Sequence, residues 1–171
     1  MGKKVTYPQT FFDHHHHSDL MVLLQELFVD PDPVNIEKEV VTFLVNNSLG
    51  MKDFPLIVGE YSRNILYRND NGFEAMVARW SKGAVSSIHG HPFFTFYCVV
   101  QGSLEIDNYK RFGDQVEMVT TETLSQTEHF IFTGKAGTFD NNIHQVRAIE
   151  ETLSIHISSD DSTKGEVFNP F

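Results

Sequence analysis

Gly83-Ala84-Val85-Ser86-Ser87-Ile88-His89-Gly90-His91, with Thr95 shortly after and Gly102 closing Val99-Val100-Gln101-Gly102, is the stretch whose reading decides the fold. Residues two apart on a strand face the same side. His89 and His91 therefore aim into one space and can take two cis positions on a single ion. A third ligand must come from a distant strand, and His144, in Asn141-Asn142-Ile143-His144-Gln145-Val146, is placed to supply it. Three neutral imidazoles leave positions open for substrate or water, as a catalytic metal site requires. A bare HxH pair is more often two unrelated polar residues on a surface strand. The surrounding glycines and His144 raise this pair above that background.

Outward from this stretch, the chain from Pro55 onward breaks into short β-rich segments separated by turns: 60–67, 73–80, 93–100, 103–106, 115–121, 129–132, 144–149 and 152–157. Asn69-Asp70-Asn71-Gly72, Ser81-Lys82-Gly83, Gln101-Gly102, 134–137 and Glu150-Glu151 punctuate them. This pattern predicts a mainly β fold, a closed or sandwiched antiparallel barrel. Before it, Leu20, Leu23, Leu24 and Leu27 fall at helical spacing, with Ser18 or Asp19 as the expected N-cap. Asp30-Pro31-Asp32-Pro33 breaks the chain, because the residue before a proline avoids the α region. A second helix is expected over 34–46, turning Ile36, Val40, Val41, Leu44 and Val45 inward, with 47–50 closing it. The expectation is one domain over 1–171, with a helical segment at 18–50 and a barrel over about 55–160.

Composition narrows the function. The 171 residues are 40% hydrophobic, with 15 phenylalanines, which suits a folded core rather than disorder. A net charge of −10 with no basic run argues against nucleic acid and against anionic membrane as partners. No apolar run approaches the ~20 residues of a spanning helix, and the Lys-containing N-terminus has no signal-peptide core. Cys98 is the only cysteine, so no internal disulfide can form. A reducing, cytoplasmic location is the expectation. Oligomeric state is not legible.

The spacing G-x5-HxH-x3-T-x6-G over Gly83–Gly102 resembles the first motif of the cupins, with Thr95 in place of the usual glutamate ligand. A second, degenerate cupin motif surrounds His144, with Phe139 and Asn141 at its proline and glycine positions. Within the cupins, a three-histidine set is similar to that of the cysteine dioxygenase (thiol dioxygenase) family. Further segments resemble that family in the same order along about 60–160: Tyr61-Ser62-Arg63-Asn64, Ala78-Arg79-Trp80-Ser81-Lys82-Gly83, Gln101-Gly102-Ser103-Leu104-Glu105 and Ser154-Ile155-His156-Ile157-Ser158.

The resemblance implies a cupin barrel (a double-stranded β-helix) fronted by two N-terminal helices, with Fe(2+) held by His89, His91 and His144. It implies oxidation of a small thiol, cysteine or another carboxylate-bearing thiol, to the sulfinic acid with O2. Arg63 would bind the substrate carboxylate as a bidentate pair, Tyr61 would stand beside it, and His156 would orient a polar group near the metal. Two departures stand out. Ser158 occupies the position of the family's tyrosine beside the iron, and Gly90 replaces the aspartate between the two histidines. Tyr61 and Tyr97 are candidates to supply the missing hydroxyl, and Cys98 lies too far along its strand to take the role of the family's crosslinked cysteine.

Plainer readings stand beside these. Arg63 alone would be a surface ion pair, His156 a hydrogen-bonded core histidine, and Tyr61 and Tyr97 core residues. His14 to His17 read as a flexible polar entry to the first helix, and His129 as a strand residue without a ligand partner. The alternative functions are a metal cupin acting on a substrate with no thiol, and a non-catalytic cupin that binds a small ligand.

Overall fold

In a computed structural model of the chain, the described residues are 9–11, as backbone, and 17–170. Helix α1 (Ser18–Leu27) starts at His17, which takes the N-cap position expected of Ser18 or Asp19. His17 is held there by stacking on Phe54 and by Asp53, 3.4 Å from its Nε2. His14, His15 and His16 lie outside the described residues. Helix α2 (Pro33–Asn46) begins where the Asp-Pro pair demands: Asp32 accepts the Asn35 N–H and Pro33 occupies the first turn.

The strands are β1 (Gln9–Phe11), β2 (Tyr61–Arg68), β3 (Glu74–Trp80), β4 (Ile88–His91), β5 (Phe94–Gln101) and β6 (Ser103–Phe112). They continue with β7 (Gln115–Ser125), β8 (His129–Thr133), β9 (Asn141–Ala148), β10 (Thr152–Ser158) and β11 (Val167–Phe168). They form two sheets, ordered β1-β2-β3-β10-β5-β8 and β11-β4-β9-β6-β7. Every pairing within them is antiparallel except β1 with β2. The segment read as 103–106 runs on to Phe112, because the β6–β7 hairpin continues past the main barrel core and packs Tyr109 and Val116 against Ile88, Ile143 and Phe168. Along 107–112 only Tyr109 and Phe112 break a polar run, which gives little hydrophobic signal.

Alternation along the strands sorts the core into layers. Tyr61, Ala78, Trp80, Tyr97 and Val99 face Leu104, Ile106, Val146 and Ala148 across the barrel interior. On the other side of the first sheet, Ala75, Val77, Phe96, Cys98, Ile155 and Ile157 meet Leu20, Leu24, Phe28, Ile36 and Val40 of the helical layer. Val45, read as inward, is instead 64% exposed, since it lies off the Ile36/Val40 stripe. His129 finds a partner in Glu37, 2.9 Å away, which ties β8 to α2. Gly102 turns β5 into β6 at φ 89°, where a side chain would also strike Thr152.

Phe28, 2% exposed and seated against Tyr67 and Phe73, anchors the helical layer. Phe28→Ala is expected to cost roughly 3–5 kcal/mol of unfolding free energy, read from the urea midpoint at unchanged m-value.

Candidate metal centre

Strands β4 and β9 pair with His89 opposite His144; the two-residue spacing turns both β4 histidines inward, and a register shift between them sets His91 opposite Asn141. The three rings converge, with centroids 4.6–4.9 Å apart. One ring nitrogen from each lies within 4.8 Å of the others. His91 Nε2 and His144 Nε2 are 3.0 Å apart. Two nitrogens ~2.1 Å from one ion and at right angles to each other would stand ~3.0 Å apart, so the donor set fits an ion.

The far ring nitrogens have their own neighbours. His89 Nδ1–H donates to the Ser87 carbonyl at 2.8 Å, which leaves Nε2 with a free lone pair. Thr95, at the position of the usual glutamate ligand, places Oγ1 3.5 Å from His91 Nδ1 and so stands behind that ring. The Asn142 amide lies 3.3 Å from His144 Nδ1, from a residue held at φ 46°. Burial lowers the proton affinity of His89, and burial with the neighbouring histidines takes His91 and His144 well below the ordinary imidazole value. Neutral imidazoles are the metal-ready form. His91 and His144 are 5% and 2% exposed, while His89 and His156 are partly exposed, so the centre opens on their side.

The remaining candidates line the same interior. Trp80 Nε1–H donates to Ser154 Oγ at 2.9 Å, and Ser154 Oγ lies 2.8 Å from His156 Nε2. Burial and then the charge of Arg63 hold His156 near a pKa of about 3. Tyr97 stacks on His156 and meets His144 edge-on, with centroids at 5.8 and 5.6 Å. Its hydroxyl is buried and makes no well-aligned hydrogen bond among the described residues, with the Asn142 side chain beside it. Burial raises its ionisation above the usual phenol range, so it stays a neutral donor. Tyr97→Phe is expected to stabilise the metal-free protein by about 1–3 kcal/mol, because it removes an unpaired buried group. Chemical denaturation measures this. Tyr61 stacks on Trp80 at 4.1 Å, and Ser158, buried, lies opposite Thr95 and Glu74.

Arg63 is 4% exposed and no surface ion pair. Its Nη2 donates to Ser162 Oγ and lies 3.4 Å from Glu74 Oε1, and its Nε reaches Met76 Sδ at 3.2 Å. Nη1 makes no hydrogen bond among the described residues, and the positive charge is near enough to lower the proton affinity of His89, His91 and His156. Nε and Nη2 of Arg63 are therefore engaged, and Nη1 is the one donor nitrogen left without a partner among the described residues.

The segment after β10 completes the enclosure. Ser162 Oγ donates to Glu74 Oε1 at 2.9 Å, and four residues later Glu166 accepts the Gly90 N–H at 2.8 Å. This segment thus spans from Arg63 to the backbone between His89 and His91. It also accounts for Gly90. A Cβ there would lie 2.5 Å from the Phe139 carbonyl and 2.6 Å from Asp140 Cα, and Gly165 abuts the Gly90 carbonyl from the other side. Close packing, not proton chemistry, excludes the aspartate. Glu74, Ser162, Asn142 and the packing role of Gly90 had not been read from the sequence. Only Glu74 carried a signal, since the Asn69–Gly72 turn sets it opposite Arg68 in the β2–β3 hairpin.

No protein-family model matches the chain, and no curated protein sequence does. Among solved structures, an uncharacterised protein with a double-stranded β-helix domain from Klebsiella pneumoniae superposes at TM-score 0.52 and 14% identity, over 70% of this chain and 89% of that one. An 11S globulin from Wrightia tinctoria gives 0.50 at 11% identity, over 66% and 28%. A cupin superfamily protein from Desulfitobacterium hafniense gives 0.49 at 15%, over 65% and 87%. The chain has the cupin fold, a double-stranded β-helix, with three inward histidines in it that can hold a metal ion.

Proposed function

We propose that the chain is an iron(II) thiol dioxygenase that oxidises cysteine or a small carboxylate-bearing thiol. The observation that carries this reading is the set of three histidines without a carboxylate, with the buried Arg63 near enough for its charge to be felt at His89, His91 and His156. Three neutral ligands leave the full charge of a divalent ion to favour an anionic thiolate, and iron(II), when bound, supplies the redox chemistry that joins thiolate and O2. The overall change is RS⁻ + O2 → RSO2⁻. Two S–O bonds form, the O–O bond breaks, and sulfur gives up four electrons, so no further reductant is needed.

The chain's own residues orient and protect. Arg63 Nη1 donates to the substrate's far oxygen. The Trp80–Ser154–His156 hydrogen bonds hold the His156 ring. The buried Tyr97 hydroxyl offers a donor at the reacting end, in place of the tyrosine that Ser158 replaces. That same replacement favours a second reading, a metal cupin whose substrate has no thiol.

Iron-loaded protein mixed with cysteine, 3-mercaptopropionate, homocysteine and cysteamine, with O2 uptake followed, tests the proposal. Uptake with the carboxylate thiols and not with cysteamine is expected. A fully iron-loaded protein that consumes no O2 with any thiol would leave the second reading.

A further inference from the structure

Arg63 and Glu74 form the most deeply buried ion pair among the described residues, at 5% and 1% side-chain exposure. Glu74 is fully committed. Oε1 faces Arg63 Nη2 and accepts from Ser162 Oγ, while Oε2 accepts from Arg68 Nε at 3.0 Å and from Arg68 Nη2. Arg68 also lies 3.4 Å from Asp161. The cluster therefore sets two guanidiniums against two carboxylates, so Glu74 offsets the charge of Arg63 at contact range. Of the donors on Arg63, only Nη1 is left for a ligand.

An uncompensated guanidinium in a dry pocket strongly prefers a carboxylate to a neutral oxygen, because the Coulomb term is barely screened. A guanidinium already neutralised by a buried carboxylate loses that preference and keeps its hydrogen-bonding geometry. We propose that Glu74 is a positioning residue that sets specificity through Arg63: it occupies one arm and cancels the charge, so the pocket takes a neutral acceptor (an amide or ester oxygen) about as well as a carboxylate. This rests on the thiol reading above. It makes the natural substrate class small thiols with an oxygen acceptor at the far end, acid or not.

The test uses cobalt(II)-loaded protein and the thiolate-to-cobalt absorption band, titrated with 3-mercaptopropionate and with its amide. The wild-type chain is expected to bind the two within about threefold of each other, and Glu74→Gln to favour the acid by about tenfold or more. Glu74→Asp, which keeps the charge, is expected to retain the wild-type ratio. A ratio of affinities cancels any loss of fold or of metal common to both ligands, and a purely structural role would leave it unmoved. A wild-type preference for the acid as large as that expected of Glu74→Gln, or a Glu74→Gln ratio equal to wild type, overturns the assignment. Should no thiol perturb the cobalt spectrum in any variant, the thiol reading fails separately. Propionate and propionamide line broadening by NMR then decides the role of Glu74: a selective gain for propionate in Glu74→Gln supports it, and equal binding by both chains overturns it.

Discussion

A Gly90→Asp chain is expected to unfold with about 3 kcal/mol less free energy than the parent and to retain little bound metal. The new side chain has nowhere to go. Phe139 and Asp140 lie on one side and the Gly165–Glu166 segment on the other, with the Glu166 carbonyl already accepting the Gly90 N–H. Relief requires either segment to move, and both are linked to the histidine strand. Urea denaturation with metal analysis of the same samples reads both effects. Parental stability together with full metal content would show that the 159–166 segment does not press on β4.

Acid is expected to unfold the metal-free protein, starting as the pH falls below about 6.5, the ordinary imidazole value. His91 and His144 are held neutral by burial in the fold, and in the unfolded chain they are free to protonate. Their native pKa values lie below the unfolded ones, so their linkage costs nothing above that range. As the pH falls from there toward the native values, each histidine removes about 1.4 kcal/mol of stability per pH unit. Metal competes with protons for the same nitrogens, so the loaded protein should hold its stability to lower pH. Denaturant midpoints at pH 7, 6 and 5, with and without metal, measure the slope. A flat apo profile would place these rings in solvent.

The parts of the fold visible in the sequence were those with a local period. The two helices, eight of the strands and the inward parity of His89 and His91 follow from spacing alone, and His144 was found because an HxH pair demands a third partner. What escaped was set by tertiary approach. Ser162 meets Arg63 across 99 positions of sequence, and no residue near either one announces the contact. Gly90 looked like altered chemistry because an absent side chain gives no hint of the backbone pressed against it. The end of β6 hid for the opposite reason: its apolar residues, Tyr109 and Phe112, are too sparse to mark a strand, and the small cluster that Tyr109 joins is assembled from distant segments. Arg63 was named from the resemblance as a bidentate carboxylate binder, while its contact with Glu74 depended on pairing across a hairpin.

Cys98 points out of the barrel into the layer beneath the helices, 1% exposed, and burial pushes its thiol up to a pKa of about 11. A full sheet therefore stands between the chain's only sulfhydryl and the interior that holds the three histidines. The protein also carries a natural clock. In native buffer, an alkylating reagent can reach this sulfur only during moments when the helical cover lifts, and the rate of labelling by iodoacetamide would count those openings directly.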